Sequence, residues 1–454
     1  MFMMSSITMS DTTVSRILFD SQTTMPLFYP LRYSIDHLNN KSISTQDASL
    51  QAIKYFYDYW FLKYKVTFCY SFYMSNHNPS IAIDELDNFF NYLRNGNSYT
   101  PNIIKFAPNL NSNIYTHAER VRAVARFIKY LISKYTNAYY NNSEPKELSR
   151  YADRLQRSLM IKTEEFNSLY KRKNDNQANT NNEFKSLTKE MVEAVYSIIN
   201  PSNGKKPNEL NPFSTAHLQV RNALIVNILL KYGLRVGELM LLEIESIRKN
   251  MKGDKHSLVV TSVSDDNLDP RYRLPSIKTS NAHRLIEIEK EDYEFLQMYI
   301  KRIRPKSKHR FIFTTLKEPF NPLSYDAIYL LFSKINDVLM KKYPEFRNSK
   351  YSDSIDKLTP HVARHTWAYL ALERIYRDKH NELLKLSSLS DVNFINNNIM
   401  EDSKSELREI AGWSYNSNMP SHYAKRFISN RANKSNLNRI KMDMPKINIS
   451  PEDF

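Results

Sequence analysis

Leu358-Thr359-Pro360-His361-Val362-Ala363-Arg364-His365-Thr366-Trp367 is the stretch on which the reading of this chain turns. Thr359 is a preferred N-cap and Pro360 a favoured first helical residue, so a helix begins here. His361 and Arg364, three positions apart, then share one face of its first turns. Free N–H groups and the helix dipole draw anions to that end, and the pair presents a phosphate cradle. Capping with plain surface pairing fits the same residues. Upstream, Leu230-Lys-Tyr-Gly233-Leu-Arg235-Val-Gly-Glu238-Leu closes a helix predicted over 215–232, with Gly233 suited to a left-handed C-cap. Arg235 falls in the turn that follows, where a guanidinium offers planar, bidentate donors to two phosphate oxygens. A structural arginine paired to Glu238 or Glu243 is the alternative. Downstream, Gly412-Trp413 precedes Tyr423. The indole N–H of Trp413 can donate to a phosphate oxygen or sit in a core. The Tyr423 phenol is a weak nucleophile until cations or a base activate it.

Between the two arginines lie the only convincing strands, predicted over 257–263, 272–277 and 283–288 as a small three-stranded antiparallel sheet. Lys278 sits in the turn joining the last two, within reach of a neighbouring groove or simply solvated. Everything after about 291 reads as helix and loop. The fold class expected is mainly α, with a helical N-terminal domain and a mostly helical catalytic domain that carries this sheet.

Composition narrows the partners. The chain has 454 residues, with 64 Lys and Arg against 48 Asp and Glu, a net charge of +16. Such an excess suits a polyanion, nucleic acid ahead of anionic membrane. One cysteine, Cys69, excludes an internal disulfide, a redox pair and a cysteine-based zinc site. The histidines are scattered without metal-ligand spacing, and with six glycines no phosphate-binding loop is present. No metal and no cofactor are therefore expected. No basic-plus-apolar leader opens the chain and no apolar run reaches the ~20 residues a bilayer demands, so a cytoplasmic protein without membrane partners is expected.

Residues 1–50 are polar and aperiodic and read as an N-terminal extension. Residues 51–140 are helical, most clearly at 83–94 and 117–135. On the latter, Val121, Val124, Phe127, Ile128, Leu131 and Ile132 form an apolar face. Arg122, Arg126 and Lys129 form a basic stripe opposite, either a solvated face or a set of phosphate contacts. Arg120 falls inside the apolar arc. Residues 141–183 read as a linker, with helical character over 146–170 and an Asn-rich end at 171–182. A second domain spans 184–430, with a segment at 376–405 read as an insertion, and 431–454 form a tail.

Taken in order, these boxes resemble the tyrosine recombinase, or phage integrase, family. The stretch around Arg235 is similar to the family's first-arginine box, and the stretch at 358–367 to its His-x-x-Arg-His box. Ile277-Lys278-Thr-Ser-Asn-Ala-His-Arg-Leu-Ile resembles the lysine-bearing hairpin, and Glu409 through Tyr423 the closing segment. The resemblance covers roughly 185–430, and more loosely 51–140 as a clamp-forming core-binding domain. It implies that Tyr423 attacks a DNA phosphate to give a 3′-phosphotyrosine, with Arg235 and Arg364 stabilising charge and Lys278 protonating the leaving oxygen. His361 would assist proton transfer, His365 would be a second family position nearby, and Trp413 would hold a phosphate oxygen. Trp413 stands where many members have histidine. Its spacing to Tyr423 is one residue longer than usual, with Tyr415 as the substitute nucleophile. The function implied is site-specific recombination of double-stranded DNA for a mobile element, by a nucleoid-associated homotetramer on two DNA sites, with accessory DNA-bending or directionality proteins. Type IB topoisomerase-like relaxation and an inactive DNA-binding protein of the same fold are the alternatives.

Overall fold

Hydroxyl side chains start many of the helices. Ser42, Thr67, Thr188, Thr215 and Ser324 each accept a hydrogen bond from the backbone N–H three residues on, which satisfies one of the four donors a helix leaves open. A computed structural model describes residues 1–8, 14–95, 114–139, 144–178, 186–202, 206–262, 269–271, 274–277, 282–348, 351, 354–386 and 392–444. The chain forms two compact units, Met1–Thr180 and Asn181–Phe454, and among the described residues no helix is long and apolar enough to cross a membrane.

In the first unit, strands β1 (Phe2–Thr8) and β2 (Val14–Asp20) pair antiparallel from Phe2↔Asp20 to Thr8↔Val14. Helices α1 (Phe28–Tyr33), α2 (Ile43–Tyr64), α3 (Phe68–Met74), α4 (Ser80–Ile83), α5 (Leu86–Arg94), α6 (Ile114–Tyr139) and α7 (Pro145–Ala178) follow. The core is aromatic: Tyr33, Phe56, Tyr57, Tyr59, Phe68, Phe72, Phe89 and Phe127 are fully buried. Each such ring contributes on the order of 1.5–3 kcal/mol by leaving water. Glu85, buried among them, is held by Tyr59, Lys63, Tyr64 and Asn88. Arg120 lies in the apolar arc of α6 because its guanidinium sits 4.4 Å over the ring of Tyr55.

Two expectations for this unit differ from the structure. Residues 1–50 are not a separate extension: Phe2, Leu18, Leu27, Tyr29, Tyr33 and Leu38 belong to the same core as α2. A hairpin and single aromatic anchors, rather than a periodic run, do the packing, so no helical pattern marked them. The segment expected as a linker holds α7, helical as expected over 146–170 and packed with the first unit's core through Leu155, Leu159 and Phe166, and the division between the units falls in its Asn-rich end. A narrow apolar stripe suffices for a helix lying on one neighbour, and the rest of its surface reads as polar composition.

The second unit contains α8 (Lys189–Ile199), α9 (Ala216–Lys231), α10 (Val236–Met240), β3 (Ile247–Lys249), β4 (His256–Val260) and β5 (Arg284–Ile288). Then come α11 (Lys290–Arg302), α12 (Tyr325–Lys342), α13 (Pro360–Leu386), α14 (Val392–Ala411) and α15 (Met419–Asp443). The sheet is three-stranded and antiparallel in the order β3-β4-β5, but its members are not all those expected. Within 272–277, the described residues 274–277 form no strand, and β3 takes the outer place. Pro275 removes a ladder donor there. Just upstream the chain is fixed by a side chain instead: Arg271 pairs with Asp269 and donates to the carbonyls of Met240 and Leu323. Three residues, Ile-Arg-Lys, are too short and too charged for β3 to be read as a strand.

The segment read as an insertion, 376–405, is the end of α13 and the start of α14, with residues 387–391 outside the described set. Tyr376, Ile399 and Met400 pack with Leu407, Trp413, Tyr423 and Phe427 in one apolar cluster.

Gly233 ends α9 at φ +63, and a Cβ there would lie 2.1 Å from the indole of Trp367. Backbone conformation and packing both demand glycine. Gly233→Ala should lose about 2–4 kcal/mol in denaturant unfolding, combining left-handed strain with overpacking. Because the φ strain persists, Trp367→Leu in the same chain should recover only part of the loss.

Candidate active site

Three separate stretches of chain meet around one buried carboxylate. Arg235 is the N-cap of α10, and Glu238 at the third helical position accepts its backbone N–H at 2.9 Å, the reciprocal half of a capping box. The same carboxylate receives the Arg235 Nη1 at 2.5 Å, Arg284 Nη2 at 3.0 Å and, at 3.6 Å, Arg364 Nη1. Glu238 is 2% exposed. Burial alone would raise its pKa, but the Arg284 and Arg364 charges and the Arg235 N–H together hold it below the ordinary carboxylate value.

Arg364 enters from the first turns of α13. Asn336 clamps the entry to that helix, accepting the Leu358 N–H at 2.7 Å and donating to the Leu358 carbonyl at 2.6 Å. Thr359 caps it, accepting from Val362 N–H at 3.2 Å. The Arg364 guanidinium donates to the carbonyl of Gly233 at 2.5 Å and to that of Ala411 at 2.7 Å. It thereby ties the arginine box of α10 to the C-terminus of α14. Burial, then the neighbouring Arg235 charge, lowers its pKa to about 9.

The end of α14 follows from Gly412, at φ 62. Gly412 N–H donates to Glu409 O at 3.1 Å and Trp413 N–H to Arg408 O at 3.0 Å, a glycine C-cap that closes the helix. The chain turns there and lays the Trp413 indole 5.4 Å from the Arg364 guanidinium. The other face of the site is Tyr423, whose ring stacks on Trp413 at 5.9 Å and 9°. The Tyr423 hydroxyl lies 2.5 Å from His365 Nδ1, and His365 Nε2 lies 2.7 Å from His361 Nε2. Burial raises the Tyr423 pKa, and the Arg364 charge opposes that rise. His365 is pushed down to about 3, by burial first, then by His361 and Arg364.

The structure thus gathers Arg235, Arg364, Trp413, Tyr423 and His361 at one place, with His361 exposed and Tyr423 1% exposed. Tyr415, the substitute weighed for Tyr423, is 84% exposed in the α14–α15 turn. Lys278 lies outside the described residues. Arg122, Arg126 and Lys129 belong to the first unit. There, with Arg157, Asp153 and Gln156 of α7, they line a groove of about 580 Å³ between α6 and α7. The stripe is not purely positive, because Arg122 and Arg126 both reach Glu119, at 2.8 and 3.5 Å.

One residue and one contact escaped the sequence reading. Arg284, first in β5, bonds Glu238, the Ala282 carbonyl and the Ile410 carbonyl. Strand alternation puts it on the face of Ile286 and Ile288, and a charge on an apolar face was the available signal. The contact of His365 with the phenol had no signal beyond the second histidine of the box.

In this mainly helical domain, two arginines and a tyrosine from distant boxes converge on one site. Residues 185–379, under half of the chain, match the phage integrase family. The match covers Arg235, Lys278, His361 and Arg364 and ends before Trp413 and Tyr423. Among solved structures, the Tn1549 transposon integrase in complex with transposon right end DNA is similar over 90% of this chain and 98% of its own, at 14% identity and TM-score 0.44. XerA recombinase is similar over 92% and 99%, at 14% identity and TM-score 0.30. XerH bound to difH substrate is similar over 77% and 84%, at 14% identity and TM-score 0.34. No curated protein matches the sequence.

The charge states make stability depend on pH. The unfolded chain protonates His365 at its ordinary 6.5 and the native chain only near 3, so stability is whole above 6.5 and falls as pH drops through that window. Glu238, depressed in the native state, adds its loss below the ordinary carboxylate value. His365→Asn should flatten the fall in denaturation midpoint between pH 6.5 and 4.5, and Glu238→Gln should instead act at all pH values, costing about 3–5 kcal/mol by leaving three guanidinium groups without their counter-charge.

Proposed function

We propose that this chain cuts and rejoins double-stranded DNA at specific sites through a tyrosine–DNA bond. The observation that carries it is the convergence of Arg235, Arg364, Trp413 and Tyr423 on one site, joined to the integrase-family match that covers its two arginines. Tyr423 Oη attacks the scissile phosphorus, the bond to the 5′-oxygen breaks, and a 3′-phosphotyrosine forms. Arg235, with a quarter of its side chain exposed, and Arg364 take the charge that grows on the non-bridging oxygens, the electrostatic contribution that dominates such chemistry. Lys278 protonates the leaving oxygen. The covalent bond keeps the phosphodiester's energy, so rejoining to another strand proceeds without ATP.

The remaining roles follow from the same reading. Arg122, Arg126 and Lys129 contact phosphates from the α6–α7 groove, a homotetramer acts on two DNA sites, and accessory DNA-bending or directionality proteins select integration or excision of a mobile element. The protein works in the cytoplasm, associated with the nucleoid through its DNA. The phenol is 1% exposed, so a DNA phosphate must displace part of its cover before attack.

Tyr423→Phe should bind nicked duplex DNA from the gene's flanks as the native chain does, yet give no covalent adduct on a denaturing gel. An undiminished adduct with that variant would sink the assignment. Arg364→Ala should slow adduct formation by about 10²–10³-fold. Relaxation of supercoiled DNA without strand exchange would favour the topoisomerase alternative.

A further inference from the structure

Two histidines one turn apart on α13 stand between the Tyr423 phenol and water. The hydroxyl is 2.5 Å from His365 Nδ1, and His365 Nε2 is 2.7 Å from His361 Nε2. His365 is 7% exposed while His361 faces solvent. We propose that His365 and His361 form a proton relay, His365 taking the proton of Tyr423 as it attacks and His361 passing charge to water. The proposal rests on the strand-transfer reading above and assigns the immediate base within it to His365.

Neutral His365 carries its proton on Nε2, which leaves the Nδ1 lone pair facing the phenol. His361 carries its proton on Nδ1 and accepts at Nε2. As Tyr423 Oη bonds to phosphorus, its proton moves to His365 Nδ1. The Nε2 proton of His365 moves at the same time to His361 Nε2. The 5′-oxygen leaves with the electron pair of the broken P–O bond. His365 ends neutral in its other tautomer, and the positive charge rests on exposed His361. A base that kept the proton on His365 would be poor, because burial, His361 and Arg364 disfavour its imidazolium. Passing one proton in while another leaves avoids that charge.

The neighbours are consistent with this path. Arg364 faces His365 from the same helix, itself flanked by Arg235, Arg284 and Glu238. From α15 and the turn before it come Tyr423 and Trp413. Arg364 lowers the pKa of the phenol and that of His365, so the cation that helps Tyr423 lose its proton also keeps His365 from holding it.

The test measures single-turnover adduct formation by the full chain on nicked duplex oligonucleotides from the DNA flanking the gene. His365→Asn keeps an amide for hydrogen bonding but cannot pass a proton. It should slow adduct formation by about 10²–10⁴-fold without loss of DNA binding, and added imidazole should not restore it. His361→Ala removes the exposed station, and added imidazole should restore most of its lost rate. A native rate in His365→Asn, or no rescue of His361→Ala, overturns the relay. Imidazole-nitrogen NMR of the histidine-labelled native chain needs neither variant. It should find His365 Nδ1 unprotonated and shifted by Tyr423→Phe, and a protonated Nδ1 also overturns the relay. Absence of any adduct from the native chain counts against strand transfer itself, and the NMR result then decides the geometry separately.

Discussion

Everything around the site depends on satisfying one buried guanidinium. Arg364 has left water almost entirely, and a buried charge without partners costs several kcal/mol. Its partners are the Gly233 carbonyl, the Ala411 carbonyl and the Glu238 carboxylate. These come from the end of α9, the end of α14 and the first turn of α10. Each is free to accept because of a local chain event: a left-handed glycine ends α9, another ends α14, and a capping box holds Glu238. Remove any one, and a buried charge loses a partner.

That constraint explains why the site is assembled with charge in deficit of carboxylates. Arg235, Arg284 and Arg364 share Glu238, so three positive groups meet one negative. The surplus of two positive charges suits the phosphate diester proposed above, whose single negative charge would offset half of it. It also sets the ionisation of the neighbours, since the same Arg364 that eases the phenol makes an imidazolium at His365 unwelcome.

Much of this was legible because the boxes are local. Gly233 before Arg235, Thr359-Pro360 before His361, and Gly412 before Trp413 each encode a helix end, and a helix end fixes where the adjacent side chain stands. The three-stranded sheet was legible in number but not in membership, since β3 is three residues long while Pro275 sits where a strand was expected. The N-terminal hairpin was not legible, and α7 was legible as helical character over 146–170 but not as a packed element. Their apolar residues are spaced by tertiary contact with α2 and α6, which periodicity within one segment cannot register. Arg284 was hidden for a different reason: its role consists of partners 46 and 126 positions away.

The acceptors that position Arg284 and Arg364 at the end of α14 are main-chain oxygens. Ile410 is 40% exposed while its carbonyl receives Arg284 at 3.0 Å. The residue type at that position is thus irrelevant to the contact, and only the course of the backbone matters. A site built in this way records its requirements as helix lengths and turns more than as letters. Its geometry can survive extensive drift in the surrounding text, so long as α14 stops where it does.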